Sequence, residues 1–210
     1  MKNLIFGILF ISISAYGQEF NFDIHNTSLS KYIQMEENME SERISATSNY
    51  ISFTDDAQPI EFLRKEKVIP DLKVYYFFKK VDSTMSYILY EWDVYNFEKQ
   101  DNNQKSKKFQ EALIEKYKKL KNKIAENFGQ PKTKNNYSNI GLLGFDDIFE
   151  ENSIWKPNDN IEIELYITVS NYYEKKGIIT INPVHRIRLY VRDKSEKAET
   201  ITPILEEKKD

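Results

Sequence analysis

The sequence predicts an α+β fold: an antiparallel β-sheet of about five strands with one long amphipathic helix packed on one face, in the order β-ββ-α-ββ. Three observations carry that expectation. Two pairs of β-rich runs are each joined by a short turn-forming segment, as antiparallel neighbours are. One stretch repeats its apolar residues every three or four positions, as a helix lying on a sheet does. No internal repeat or low-complexity linker divides the chain, so these elements belong to one domain, 18–193.

Residues 1–17 stand apart from that domain. Lys2 is followed by an apolar run from Leu4 to Ala15, and Ala15-Tyr16-Gly17 supplies an A-x-A-like cleavage site before Gln18. The run is roughly a dozen residues, short of the ~20 that span a bilayer as a helix. This is the layout of a secretory signal peptide, and the mature protein is expected in the periplasm or outside the cell. No later apolar run is long enough to cross a membrane. The chain has no cysteine, which excludes thiol nucleophiles, thiolate metal sites, disulfides and a lipid-modified Cys anchor. Its net charge of −3 asks for no nucleic-acid partner. Residues 194–210 are charged and aperiodic, and read as a flexible tail.

Within the domain, Leu29, Tyr32, Ile33, Met39 and Ile44 approximate one helical face, and Tyr50, Ile51 and Phe53 suggest a short strand. Leu72–Val81 and Ser86–Tyr95 flank Asp82-Ser83-Thr84-Met85 and read as a hairpin. On its second strand Ile88, Tyr90, Trp92 and Val94 share one face and Leu89, Glu91, Asp93 and Tyr95 the other. Neither face is wholly polar, which places the hairpin centrally in the sheet. Phe109, Leu113, Tyr117, Leu120, Ile124 and Phe128 then form the helical stripe, over Ser106–Phe128, stopped by Gly129 and Pro131. Lys105, Lys107 and Lys108 oppose the dipole at its start, so the expectation is a cap from Asp101 or Gln104, or else a frayed first turn.

Around Gly144-Phe145-Asp146-Asp147 a short helical turn is expected. Two alternating strands follow, Ile161–Val169 and Arg186–Arg192, with a loop signal at Glu174-Lys175-Lys176-Gly177. Pairing across that loop puts Leu165 opposite Arg186, so apolar can meet apolar only if one residue is inserted. The expectation is a bulge at Asn182-Pro183. Glu162 and Glu164 then share a face with Arg186, Arg188 and Arg192, and cross-strand ion pairing accounts for these charges without a ligand.

The chemistry-bearing residues are few. Glu91 and Asp93, two apart on a strand, could act as paired carboxylates of a secreted hydrolase beside Trp92, Tyr90 and Tyr95, although pairing with Lys73 and Lys79 explains them as well. Asp146, Asp147, Glu150 and Glu151 could hold calcium but lack the spacing of a calcium loop, and capping of a short helix is preferred. His25 and His185 lack metalloprotease or zinc-finger spacing, and His185 shares a strand face with Ile187, Leu189 and Val191. Serine-nucleophile and phosphate-loop motifs are absent. Trp155 reads as a packing anchor. The remaining signals are aromatic strands and a lysine-rich helix, so Trp92, Tyr90, Lys116, Lys119 and Lys123 are the expected binding residues. The sequence thus points to an exported, soluble, non-catalytic binding domain of the bacterial cell envelope with no cofactor or metal. Its expected partner is an envelope protein or a glycan.

Overall fold

A computed structural model describes residues 20–25, 28–45, 56–137 and 148–194. In chain order the elements are α1 (Leu29–Asn38), β1 (Glu42–Ile44), β2 (Ile60–Arg64), β3 (Leu72–Phe78), β4 (Met85–Asp93), a 3-10 turn (Val94–Asn96) and α2 (Lys107–Phe128). They continue with β5 (Lys132–Tyr137), β6 (Ile148–Trp155), β7 (Ile161–Ser170), β8 (Glu174–Lys176), β9 (Ile179–Ile181) and β10 (Val184–Asp193). Eight strands form one antiparallel sheet in the order β1-β2-β3-β4-β10-β7-β6-β5, and β8 and β9 pair alone.

This corrects the expected five-strand sheet with a single helix: the sheet has eight strands, and two helices lie on it. The surplus strands escape a pattern reading for physical reasons. β1 has three residues, and β5 (KTKNNY) is a polar edge strand with no apolar alternation. On β6 the buried positions are Phe149, Glu151, Ser153 and Trp155, so the inward row is half polar. That row is tolerated because Tyr117 on α2 reaches it, donating to Glu151 at 2.9 Å and lying 3.1 Å from the Ser153 hydroxyl. The α1 region likewise divides into a helix and a separate strand, β1, where one helical face was expected through Ile44. Tyr50, Ile51, Phe53, the 144–147 turn, residues 1–17 and the tail from 195 lie outside the described residues.

The core is built on one face of the sheet. Tyr76 and Val74 of β3, Ile88, Tyr90 and Trp92 of β4, and the inward rows of β7 and β10 meet Leu113, Tyr117 and Ile124 of α2 and Tyr32 of α1. Phe20 and Phe22 close it from the N-terminal side, Phe20 edge-on to Tyr90 at 5.0 Å and Phe22 edge-on to Phe128 at 5.6 Å. The helix begins where expected but its cap is Ser106, whose side chain accepts from the Phe109 N–H, in place of Asp101 or Gln104. Gly129 ends it at φ +78, and the Trp155 indole donates to the Gly129 carbonyl at 2.9 Å. On α1, fully buried Glu36 accepts from Arg64 (2.6 and 2.9 Å), from the Ser41 hydroxyl (2.6 Å) and from Tyr76 Oη.

The expected register offset is present. Glu174 pairs with Ile181 in the β8–β9 hairpin, a register that would set Leu165 against Tyr190 if it ran on. Instead Leu165 faces Leu189 along β7–β10. The extra residue is on the opposite strand from the one expected: Asn171-Tyr172-Tyr173 spans the gap between two regular ladders against only Asn182-Pro183, where the bulge was expected. The loop is tighter than expected: Glu174–Lys176 is strand, and Gly177-Ile178 makes the turn with Gly177 at φ +61, the sign a II′ turn demands of its first central residue.

Candidate functional site

The sheet face away from the helices carries the densest polar chemistry of the described residues. Period-two alternation puts Glu91 and Asp93 of β4, Arg186, Arg188, Tyr190 and Arg192 of β10, and Glu162, Glu164 and Tyr166 of β7 on this side. Arg188 sits directly opposite Glu91 and Arg186 opposite Asp93, and each guanidinium donates to the facing carboxylate through Nε. Arg192 donates to Glu164 and lies 3.5 Å from Glu162. Asn96 of the 3-10 turn donates to Glu91 at 2.6 Å, and the Tyr95 N–H donates to Asp93 at 2.9 Å.

Glu91 and Asp93 therefore do share one face as their spacing requires. Their partners are arginines of the neighbouring strand: Lys73 stands opposite Glu91 in the ladder, but its ammonium lies 6.0 Å from the Phe97 ring centre. Burial works against the Arg188 charge, yet Glu91, with Tyr166 and Tyr190, outweighs it and holds Arg188 above its ordinary value. Burial also favours a protonated Glu164, but hydrogen bonds from Arg192 and Asn152 keep it below the usual carboxylate range.

Beside these pairs lies an aromatic platform. Tyr166 and Tyr190 are half-buried, with ring centres 6.4 Å apart and planes within 14°. Arg192 lies 4.1 Å from the Tyr190 ring centre, and Arg188 donates to the Tyr166 hydroxyl at 3.0 Å. Next to Tyr166 a depression of about 310 Å³ is lined by Lys134, Glu150, Asn152 and Thr168. Asn152 donates to Glu164 at 2.8 Å, while its own carbonyl oxygen is buried with no partner. A second depression, about 460 Å³, lies at the β1–β2 edge around Arg43, Pro59 and Glu61. Neither is lined by Glu91 or Asp93.

The other expected binding residues lie elsewhere. Trp92 and Tyr90 are 0% exposed and belong to the helix-covered core, on the side of the sheet away from Glu91 and Asp93. Trp92 donates to Glu66 at 3.1 Å, and Lys116 both donates to Glu66 at 2.7 Å and lies 5.1 Å from the Trp92 ring centre. Lys119 pairs with Glu115 one turn back at 2.7 Å, and Lys123 lies 5.3 Å from the Phe20 ring centre. These groups lie on the helix-covered side of the sheet and the tyrosine platform on the other, so the two do not meet.

Glu150 and Glu151 stand on β6 and point to opposite faces, Glu151 inward to Tyr117 and Lys121. Asp146 and Asp147 lie outside the described residues. His25 sits near the Asn160 carbonyl (3.4 Å) and Asp193 (3.6 Å), at the far end of β10 from His185. His185 is buried edge-to-face with Phe109, with neither ring nitrogen partnered. Burial, reinforced by Lys105 and opposed by Glu98, pushes it down to about 4. Among the described residues no cluster of three or more His, Cys, Asp or Glu side chains is placed to hold a metal ion, and no helix is long and apolar enough to cross a membrane.

Sequence reasoning passed over Tyr166 and Tyr190. The available signal was that both occupy the polar parity of strands whose other parity is apolar through its middle, Ile161 to Val169 on β7 and Ile187 to Val191 on β10. No family model, curated protein or solved structure matches this chain.

Proposed function

We propose that this protein is an exported, non-catalytic binding module of the cell envelope that recognises a glycan on the sheet face opposite its helices. The observation that carries the reading is the Tyr166–Tyr190 platform, bordered by charged and amide groups and opening on a depression large enough for a sugar ring. Sugars offer C–H faces to aromatic rings and hydroxyls to Arg, Glu and Asn, and both kinds of partner lie side by side here. The orphaned Asn152 carbonyl is an acceptor such a hydroxyl would satisfy.

A hydrolase using Glu91 and Asp93 is the weaker reading. Each carboxylate already accepts from a guanidinium and from a second donor, which favours ions fixed in place over an acid ready to give up a proton.

The test is titration calorimetry of the mature chain against a panel of neutral and acidic envelope oligosaccharides. Replacing Tyr166 and Tyr190 together by Ala is expected to weaken binding roughly a hundredfold, a loss of about 1.5 kcal/mol per ring. Unchanged affinity in that folded variant removes the platform from the account. Turnover of the sugar that Glu91→Gln abolishes would establish the hydrolase instead. Export is checked separately by N-terminal sequencing of the protein recovered from the envelope and medium, with Gln18 expected first.

A further inference from the structure

We infer that one end of the sheet rests on an anionic lipid surface, with the tip of the β8–β9 hairpin entering the headgroup region. Of the eight large apolar side chains that stand exposed among the described residues, only Val81 lies at the opposite end of the sheet. The others share the end where β4 finishes, β10 begins and the β2–β3 loop turns, as the Leu72–Trp92, Arg186–Asp93 and Val184–Ser170 pairings require. Ile178 is fully exposed in the hairpin turn, Ile179 is 66% exposed, and Ile181, Tyr95 and Phe97 are exposed as well. Gly177 meets the backbone demand of the turn, and Ile178 at its second position leaves an apolar side chain wholly in solvent beside exposed Ile179 and Ile181.

The charges around this end favour a bilayer over a protein groove. Glu98, Glu111 and Glu174 are each tied to a lysine, namely Lys105, Lys107 and Lys176. Lys99, Lys108 and Lys175 have no ion partner among the described residues; Asp101 is the exposed acid beside the hairpin base, while Glu40 and Glu42 stand exposed at the distant β1 edge. The hairpin base is held to the α2 start by Asn171, which accepts from the Lys105 N–H at 2.9 Å, and by Asn182, which accepts from the Asn102 N–H. Tyr172 and Tyr173 sit half-buried at that base. An apolar convex tip, a tyrosine shoulder and a lysine rim succeed one another as acyl chain, interface and anionic headgroup do. Lys108, which opposes the α2 dipole, thereby acquires a function.

The test uses Ile178→Trp in the full mature chain, since the native Trp92 and Trp155 are buried and change little. Vesicles rich in phosphatidylglycerol should shift its emission to the blue, and brominated acyl chains should quench it, while phosphatidylcholine vesicles do neither. In co-sedimentation, Ile178→Asp with Ile179→Asp should lower partitioning at least roughly tenfold with the unfolding midpoint of the rest of the molecule unchanged. Absence of any shift on anionic vesicles, or equal sedimentation of the Asp variant, overturns the inference. A shift produced only by lipid-free envelope protein overturns it too and marks the tip as a protein contact. None of these readouts depends on the sugar platform, so the two proposals fail independently.

Discussion

Arg188 and Glu91 stand directly opposite one another at the middle of the sheet, and the arginine Nε donates to a carboxylate that is 4% exposed. Removing one member leaves the other in poor solvent. Arg188→Ala is expected to destabilise the fold by about 3 kcal/mol. The Arg188→Met, Glu91→Leu pair is expected to lose much less. A double-mutant cycle by urea unfolding reads the difference, and additive losses would mean that the two charges are not coupled.

The Glu36 cluster should behave in the same sense with a graded loss. Arg64→Ala strands a fully buried carboxylate and should cost about 3–5 kcal/mol. Tyr76→Phe removes a single donor to that carboxylate and should cost about 1.5–3 kcal/mol. Equal losses in chemical denaturation would show that the tyrosine carries more than its hydrogen bond.

His185 gives the fold a pH dependence with a definite sign. Its folded-state pKa, about 4, lies below the ordinary 6.5, so the unfolded chain binds the proton more readily. Its contribution is full above pH 6.5, is lost as pH falls from 6.5 to 4, and is flat below. The expected loss across that window is a few kcal/mol, on the order of 3. Urea midpoints measured at several pH values on wild type and on His185→Leu should differ by that slope, and parallel curves would contradict it.

The start of α2 sets stability against surface charge. Ser106→Ala should cost about 1 kcal/mol through loss of the cap to Phe109. Lys108→Glu should raise stability by about 0.5 kcal/mol by complementing the helix dipole. The same change should weaken sedimentation with anionic vesicles. Thermal unfolding and vesicle binding moving in opposite directions is the expected outcome.

Legibility of the sequence followed how strongly each element is patterned. α2 and the long strands β7 and β10 obey one period through most of their length, the central hairpin is two runs of aromatic and β-branched residues around a turn signal, and the bounds of all were readable to within a few residues. The parity of β7 against β10 also required an offset of one residue, whose place on the Asn171-Tyr172-Tyr173 side was not readable because β8 and β9 are short. β5 and β6 were illegible because their inward positions are occupied by Thr133, Glu151 and Ser153, which become acceptable only when Tyr117 and Lys121 arrive from α2. At the candidate site, the shared face of Glu91 and Asp93 was readable from their spacing, whereas their arginine partners lie more than ninety residues away and depended on knowing that β10 sits beside β4. Tyr90 and Trp92 looked like recognition residues for want of knowing which face the helices would cover.

That placement of β10 also governs the order in which the molecule can be made. β1 to β4 form one half of the sheet and β5 to β7 the other, and among the described residues no backbone ladder joins them except through β10. Until Val184–Asp193 has been synthesised, each half carries an open central edge, and the long helix has only part of the floor on which it packs. A nascent chain of this kind leaves its sheet unclosed through β1 to β7 and completes it when Val184–Asp193 slides between two waiting halves.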